Sequence, residues 1–335
     1  MKVFVTGGTG LLGRHVITAL VERGDTVVGL ARSDAADAGL RALGAEPLRG
    51  DLRDAGALAR GVERADATVH AAAVVLSRGD WSGFLAANVT PTIAMARACA
   101  RSKRRLVHIS SVAAYGRATT YDGGAGSVTE TFGLDRPIFP GDHYARSKRE
   151  AELALWRVAE DEGLSAVALR PCVIYGEGDR AFTFRAARLL RHGLAPLIGG
   201  GRNALSVVYA GNVAAAVLAA LDQSHVTGAF NVTNDGRITQ REFIEQFAAG
   251  LGVSVTLLPV PRLLAWHSAR AVDAVLRRLR PGQSMTLLKT AVQFLASDNP
   301  YVSAKAEREL RWHPVIAPAD AARRTGQWFR EQPAA

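Results

Sequence analysis

A tyrosine and a lysine four positions apart are the residues of this chain best suited to chemistry. Tyr144 and Lys148 lie in the segment HYARSK, and this spacing puts both side chains on one face of a helix. A phenol has an unperturbed pKa of about 10 and is a poor base at neutral pH, but a nearby ammonium lowers that pKa. The pair could therefore exchange a proton with a substrate hydroxyl while hydride moves to or from a nicotinamide.

A serine before this pair would complete such a site. The segment ISSVAAYG contains Ser110 and Ser111 directly after a predicted strand, Arg105–Ser110. A hydroxyl at that position can hydrogen-bond the reacting oxygen and hold it beside the tyrosine.

A glycine-rich loop at the start of the chain predicts a site for a dinucleotide. The stretch VTGGTGLLG lies between a predicted strand, Lys2–Thr6, and a predicted helix, Leu11–Arg23. Glycines allow a tight turn and a close approach to a pyrophosphate, and the helix N-terminus offers N–H groups to it. The glycines fit two spacings, G-x-G-x-x-G from Gly8 and G-x-x-G-x-x-G from Gly7.

The ends of the next predicted strands bear on which dinucleotide binds. Ala31 occupies the position where NAD-preferring folds usually carry an acidic residue, and Arg32 follows it. An arginine can pair with a 2′-phosphate, which favours NADP, whereas Asp34 nearby keeps NAD open. The segment Gly50–Leu52 could reach the adenine. The small residues of His70–Ala73 would let a flat ring lie against the backbone, although, taken alone, the alanines are better explained by plain close packing.

The order of the predicted elements indicates the fold. Apolar runs alternate with helical patterns over the first half of the chain, which predicts a doubly wound α/β Rossmann fold with a parallel sheet. We expect a dinucleotide-binding core over residues 1–175. Residues 176–335 are expected to form a smaller, mainly helical substrate-binding region interleaved with the last core strands. Two long helices are predicted, Trp81–Arg101 and His143–Gly163, and Thr239 with Glu242 predicts a capping box.

Composition narrows the class of protein. The chain has 335 residues and a net charge of +10, but the excess is mostly arginine in an alanine-rich sequence, so we do not expect nucleic-acid binding. The basic cluster Arg101–Arg105 is interpreted as a solvated helix end. The two cysteines, Cys99 and Cys172, are expected to be buried thiols. A first strand that begins almost at Met1 leaves little room for a secretory signal, so we expect a cytoplasmic protein.

Taken together, the motifs resemble those of the extended short-chain dehydrogenase/reductase superfamily, to which the NAD-dependent epimerases and dehydratases belong. The resemblance runs from Met1 to about Trp328 and rests on VTGGTGLLG, GDL, HAAA, Asn88-Val89, ISSVAAYG, YARSK and Leu169-Arg170-Pro171. In that family the spacing G-x-x-G-x-x-G is the fingerprint, which assigns the frame to Gly7, Gly10 and Gly13. The family serine lies four positions before a Tyr-Gly pair, which selects Ser111 over Ser110.

The resemblance also implies roles for individual residues. Tyr144 would be the acid/base, Lys148 would lower its pKa and bind the ribose, and Ser111 would orient the substrate oxygen. Asn88 matches a helix asparagine with a structural and proton-relay role. The cofactor-binding residues implied are Gly7, Thr9, Gly10, Leu11, Leu12, Arg32, Asp51, Leu52, Ala71, Ala72, Ala73, Asn88, Tyr144, Lys148, Pro171 and Val173. Substrate contacts are implied for Val74, Ser111 and Tyr144, and no metal ion is expected.

Within the family, the sequence is closer to the 3β-hydroxysteroid dehydrogenases and dihydroflavonol-type reductases than to enzymes acting on nucleotide sugars. The sugar branch carries an Arg–Asp pair whose arginine holds the diphosphate, and here Leu205 and Ser206 occupy those positions. The ending from Lys305 to Pro314 is similar to that of the steroid branch. We therefore expect an NAD(P)-dependent oxidoreductase acting on a lipophilic secondary alcohol or ketone. Arg202 could replace the missing cation, so a nucleotide-sugar epimerase or dehydratase stays an alternative, as does a non-catalytic NAD(P)-binding sensor.

Two further expectations concern partners. The apolar and basic segment from Leu257 to Leu295 is expected to pack on the core as a helical lid, with Leu264, Ala271, Val275 and Leu279 on one stripe. Its basic residues, among them Arg270 and Arg280, leave a peripheral membrane contact as the less favoured alternative. The resemblance also suggests a homodimer through the two long helices.

Overall fold

The computed structural model describes residues 1–75, 80–116, 128–233, 235–279 and 287–332. The strands are β1 (Lys2–Thr6), β2 (Thr26–Ala31), β3 (Glu46–Arg49), β4 (Ala67–His70), β5 (Arg105–Ile109), β6 (Ala166–Pro171), β7 (Val173–Tyr175), β8 (Leu194–Ile198), β9 (Val207–Tyr209), β10 (Gly228–Val232) and β11 (Thr256–Val260). The α-helices are α1 (Leu11–Glu22), α2 (Asp34–Ala42), α3 (Ala55–Glu63), α4 (Trp81–Phe84), α5 (Thr90–Arg101), α6 (His143–Glu162), α7 (Phe182–Leu190), α8 (Ala210–Asp222), α9 (Gln240–Leu251), α10 (Arg262–Leu279), α11 (Leu287–Ala296) and α12 (Pro318–Glu331). Short π-helical turns cover Leu85–Val89 and Ala306–Leu310, and a 3₁₀ turn covers Val112–Tyr115.

A seven-stranded parallel sheet forms the centre of the molecule. Its strand order is β10-β6-β5-β4-β1-β2-β3, and Val3 on β1 pairs with Val27 on one side and Ala67 on the other. Alternate residues of β1 are buried against helices on opposite faces, with Val3 and Val5 in one apolar cluster and Phe4 in another. The predicted doubly wound Rossmann fold is confirmed.

The strand order also places the crevice. The chain runs outward from β1 to β3 and then returns to β4, so the direction of winding reverses between β1 and β4. Ligands of open α/β sheets bind at such a point, beyond the carboxyl ends of the strands. The loops after β1, β4 and β5 and the start of α6 therefore surround the candidate site.

The second half of the chain adds smaller layers. Short parallel pairs form between β8 and β11 and between β7 and β9, while β10 returns to the main sheet beside β6. Helices α9 and α12 cross at two glycines, because a Cβ on Gly250 would lie 2.0 Å from the Arg323 carbonyl oxygen and one on Gly326 would lie 2.2 Å from that of Phe247. The predicted capping box of Thr239 and Glu242 is present at the start of α9.

The helix predicted over Trp81–Arg101 is interrupted by the π turn Leu85–Val89, in which the Thr90 N–H donates to the Leu85 carbonyl. Pro91 has no N–H and cannot make the α-helical bond to the residue four before it, which explains a break at this position.

The described side chains of the apolar stripe of α10 that was expected to pack on the core are exposed instead. Leu264 is 58% exposed and Val275 is 56% exposed on α10, and Ala271 is exposed as well, whereas Ala265 and Ala269 are buried. Leu264, Ala271 and Val275 therefore lie on the outer face of the helix. Arg270 is also exposed, and Arg280 lies outside the described residues.

The basic cluster Arg101–Arg105 is only partly a solvated helix end. Arg105 is buried, and its guanidinium donates to the carbonyl oxygens of Ala220, Gln223, Ser224 and Val226 and to the Ser165 hydroxyl at 2.6–3.0 Å. These carbonyls close the C-terminal end of α8, so Arg105 joins the start of β5 to that helix.

Replacing Arg105 with alanine should strongly destabilise the protein. Several buried carbonyls would lose their donor, and we expect a loss of about 3 kcal/mol in the free energy of unfolding. Chemical denaturation followed by circular dichroism measures this change. Arg101→Ala, at an exposed position of the same cluster, is the matched control and should change stability by less than about 0.5 kcal/mol.

Candidate active site

The loop after β1 forms a cradle around the N-terminus of α1. Gly7 has a φ of +74°, and a Cβ there would lie 2.8 Å from the Ala72 Cα, so the loop passes very close to the segment after β4. A Cβ on Gly13 would lie 2.0 Å from the Gly7 carbonyl oxygen. Gly10 is the N-cap of α1, and no described side chain caps that end. The backbone N–H groups of Leu11 and Leu12 can therefore serve an anion.

The positions of the loop glycines distinguish the two spacings. A Cβ on Gly10 would approach only the Gly7 carbonyl oxygen, at 3.2 Å, whereas one on Gly8 would meet the ends of the Ile17 and Leu40 side chains. Neighbouring backbone atoms thus leave no room for a side chain at Gly7 and Gly13, and Gly10 lies on the open side of the loop. At Gly8, by contrast, only neighbouring side chains limit the space for a Cβ.

After β2, the exposed Arg32 lies close in sequence to two aspartates that are already paired with another arginine. Ala31 is buried and Arg32 is exposed. Asp34 and Asp37 both bond the Arg49 guanidinium, the second at 2.7 Å. Asp34 therefore already has a cationic partner, while the side chain of Arg32 remains on the surface.

Asp51 and Leu52 follow β3 and are both partly buried. The Arg53 guanidinium bonds Asp51 Oδ1 at 2.9 Å and holds the pKa of that carboxyl below its usual range. Asp51 is therefore a charged acceptor on this side of the crevice.

The segment after β4 is fixed by an asparagine. The Asn88 side chain accepts from the Val74 N–H at 2.8 Å and donates to the Val74 carbonyl at 3.0 Å and to the Ser147 hydroxyl at 2.9 Å. Asn88 lies in the π turn, so this irregular turn ties the strand end to α6. Ala71, Ala72 and Ala73 lie between β4 and Val74, and the Ala72 backbone meets Gly7.

Ser110 and Ser111 point to different partners after β5. The Ser110 hydroxyl donates to the buried Glu152 carboxylate. Ser111 caps the 3₁₀ turn, and its Oγ accepts from the Ala113 N–H at 3.1 Å. The Ser110 hydroxyl therefore points into the protein interior, whereas Ser111 lies at the start of the turn, directly beyond the strand end.

Helix α6 carries Tyr144 in its first turn and Lys148 in the second. Asp142 caps the helix by accepting from the Ala145 N–H at 3.1 Å. Tyr144 is partly exposed, whereas Lys148 is buried, and its Nζ donates to the Ile109 carbonyl at 2.8 Å. Burial lowers the pKa of Lys148 to about 8, although the Glu152 carboxylate opposes that shift.

Two buried histidines lie beneath this lysine. The His70 and His108 rings stack with centroids 5.5 Å apart, and burial lowers the pKa of His70 to about 3 and that of His108 far below its usual range. Both are therefore neutral. His70 Nδ1 bonds the Thr6 hydroxyl at 2.8 Å, which connects the sheet interior to the start of the glycine loop.

The remaining site residues lie at the end of β6 and the start of β7. Pro171 is buried, and Val173 is 37% exposed. Across the crevice, Val74 is 38% exposed. Apolar surface is thus available at the predicted substrate and nicotinamide positions.

The sequence missed several residues of this region. Its buried polar layer consists of Glu152, Arg170, Thr92, His70 and His108, and among these only Arg170 and His70 stood in quoted motifs. Glu152 could have been found as the next residue on the Tyr144–Lys148 face of the helix. Among the described residues, no group of three His, Cys, Asp or Glu side chains could hold a metal ion, and no helix is long and apolar enough to cross a membrane.

Comparisons with known proteins identify relatives of this chain. The model of the NAD dependent epimerase/dehydratase family matches residues 3–233. The 4-hydroxy-2-methyl-3-oxo-4-farnesyl-3,4-dihydroquinoline-1-oxide ketoreductase of Stigmatella aurantiaca is 32% identical over 92% of this chain and 91% of its own. The 2-alkyl-3-oxoalkanoate reductase of Stenotrophomonas maltophilia is 30% identical over 97% of this chain and 98% of its own.

Solved structures share the fold. The crystal structure of UDP-N-acetylglucosamine 4-epimerase from Bacillus cereus superposes with a TM-score of 0.73 at 23% identity, covering 99% of this chain and 100% of that one.

Proposed function

The chain belongs to the NAD dependent epimerase/dehydratase family. We propose that it is an NADP-dependent reductase that converts a lipophilic ketone into a secondary alcohol and also catalyses the reverse reaction. The observation that carries this proposal is the placement of Tyr144 and Lys148 on one face of α6, with Ser111 at the neighbouring strand end. Its relatives include reductases that are named for oxo substrates.

The glycine cradle fits the dinucleotide. The pyrophosphate would lie against the open side of Gly10 and the N–H groups of Leu11 and Leu12, and the adenosine end would lie near Arg32 and Asp51. When bound, the reduced nicotinamide supplies a hydride to the carbonyl carbon.

The chain's own residues handle the proton. Tyr144 donates its phenolic proton to the carbonyl oxygen, which completes the alcohol, and takes a proton back in the reverse direction. The Ser111 hydroxyl hydrogen-bonds the same oxygen and orients it. The Lys148 ammonium stabilises the phenolate that Tyr144 becomes after it has given up its proton.

The substrate is proposed to be a lipophilic oxo compound, such as a long-chain 3-oxo acid, a prenylated ketone or a 3-oxosteroid. Val74 and Val173 offer exposed apolar surface at the crevice, and a pocket lined by such side chains favours an apolar ligand. The ketoreductase and the reductase among the relatives are named for substrates with a farnesyl or an alkyl chain.

The nucleotide-sugar alternative is not favoured. Leu205, at the position of the diphosphate-holding arginine, is buried in an apolar cluster. Asn212, which stands where the sugar branch commonly has an aspartate, is also buried, accepts from the Val315 and Ile316 N–H groups, and donates to Asp235. Neither residue is available for a diphosphate. Thermal unfolding with and without UDP tests this alternative, since a nucleotide-sugar enzyme should be stabilised by UDP and a ketone reductase should not.

The experiment that tests the proposal is a substrate panel. Purified protein would be assayed with NADPH and with NADH on long-chain 3-oxo acids, prenylated ketones and 3-oxosteroids, by the loss of absorbance of the reduced nicotinamide. Turnover of at least one class supports the proposal. A failure of all three classes, together with stabilisation by UDP, would reject it.

Cofactor preference gives a sharper prediction. Arg32→Ala should raise the KM for NADPH roughly tenfold, because a charge-assisted bond to the 2′-phosphate is lost. The KM for NADH should stay the same, because NADH has no 2′-phosphate. Steady-state kinetics with both cofactors checks this, and Arg41→Ala, at an exposed position of α2, is the control and should change neither KM. Equal effects of Arg32→Ala on both cofactors would contradict an NADP preference.

We also propose a cytoplasmic homodimer. Both cysteines are free and buried, which suits a reducing compartment. Leu153 on the outer face of α6 is 37% exposed, and this face would pack against α5 and α6 of the second copy. Light scattering on the purified protein, and on its Leu153→Arg variant, tests the assembly.

A further inference from the structure

Glu152 is a buried carboxylate one helical turn beyond Lys148 on α6. It is 0% exposed and accepts from Arg170 Nε at 3.0 Å, from Trp156 Nε1 at 3.1 Å and from the Ser110 hydroxyl. Tyr144, Lys148 and Glu152 thus follow one another at intervals of four on a single helix face.

The ion pair connects three elements beneath the site. Arg170 lies on β6, Ser110 follows β5 and Glu152 lies on α6. Arg170 also donates to the Tyr115 hydroxyl at 2.6 Å, which in turn donates to Asn231 at 2.9 Å. A buried ion pair is often no more stabilising than apolar residues of the same size. Stability alone is therefore a poor explanation for its presence here.

The charges around Lys148 indicate a second role. His70 on β4 and His108 on β5 face it as neutral rings, Tyr144 lies one turn before it, and Arg170 on β6 is a cation. The Glu152 carboxylate is the group that favours the charged form of Lys148 against its burial. Without that carboxylate, no opposing charge among these groups would offset the burial of the ammonium.

We propose that Glu152 is a positioning residue for the reaction: its carboxylate supplies a negative charge one helical turn from Lys148 and, through its hydrogen bond with Ser110, holds the end of β5 so that Ser111 faces Tyr144. This inference rests on the proposed reductase function. It adds a residue that acts through Lys148 and Ser111 and does not touch the substrate.

The test is the pH profile of alcohol oxidation. Its acid limb reports the loss of a proton from the base, and its alkaline limb reports the loss of the Lys148 proton. Glu152→Gln should move the alkaline limb about one pH unit lower, because removal of an opposite charge disfavours the ammonium. Glu150→Gln, at the neighbouring position that bonds Arg146 at 2.7 Å on the helix surface, is the matched control and should leave the profile unchanged.

Two further variants separate positioning from folding. The double variant Glu152→Met/Arg170→Met removes both members of the ion pair, so Arg170 is not left as an unpaired buried cation and the fold should be preserved. Its alkaline limb should stay displaced, because Lys148 still lacks the carboxylate. Ser110→Ala leaves the ion pair intact and should lower kcat/KM about tenfold with unchanged NADPH affinity.

The outcomes are distinct. A wild-type pH profile in a folded Glu152 variant, or wild-type activity in Ser110→Ala, would overturn the positioning role. Full activity of a Tyr144→Phe variant would instead overturn the proposed function, whatever Glu152 does.

Discussion

Replacing Tyr144 with phenylalanine should lower kcat for ketone reduction about 10³-fold, because the reaction loses the group that donates a proton to the carbonyl oxygen. The variant removes one hydroxyl from a partly exposed side chain in the first turn of α6, so the fold should be preserved. Steady-state turnover with NADPH and the best ketone of the panel measures the effect.

The control for this variant is cofactor binding. The cradle of Gly7, Gly10 and the α1 N-terminus is unchanged, and titration of NADPH fluorescence should give a Kd within about threefold of the wild-type value. A variant that binds NADPH normally and still turns over at the wild-type rate would show that Tyr144 is not the proton donor.

Substitution of Gly13 should produce the second large effect, on cofactor binding. A Cβ in Gly13→Ala would lie 2.0 Å from the Gly7 carbonyl oxygen and 2.7 Å from the Gly8 Cα. These are backbone atoms, so α1 must move away from the loop. We expect a stability loss of about 2 kcal/mol from overpacking and at least a tenfold weaker NADPH Kd.

Gly8→Ala is the matched control within the same loop. Its Cβ would meet the ends of the Ile17 and Leu40 side chains, at 2.6 and 2.7 Å, and such side chains can rotate aside. NADPH affinity should fall by less than about threefold, measured by the same titration. Gly13 belongs to both spacings, so Gly7→Ala, whose Cβ would lie 2.8 Å from the Ala72 Cα, is the variant that distinguishes them. If Gly8→Ala weakens binding more than Gly7→Ala, the G-x-x-G-x-x-G frame is wrong.

The sequence was most informative where local pattern decides structure. The apolar run that became β1 was predicted with its observed bounds, Lys2–Thr6, because a strand that is buried on both faces is a nearly continuous apolar run. The Tyr144–Lys148 pair was found because helical spacing fixes which side chains share a face. Thr239 and Glu242 formed the expected capping box for the same local reason.

What the sequence did not reveal depends on contacts between distant segments. Arg105 belongs to a basic cluster by sequence, yet it binds carbonyls more than 100 positions away at the end of α8. The Glu152–Arg170 pair requires α6 to cover β6, which follows only from the sheet order. The outer face of α10 could not be told from its inner face, because both carry apolar residues.

The central claim is net hydride transfer from the cofactor to a ketone. The most direct measurement uses NADPH that carries deuterium at the transferable position of nicotinamide C4, incubated with the protein and the best ketone of the panel. Mass spectrometry and NMR should find one deuterium on the new carbinol carbon, and none should be found with Tyr144→Phe at the same time point. Alcohol product without deuterium, or a protein that reduces no ketone yet epimerises a UDP-sugar, would contradict the claim.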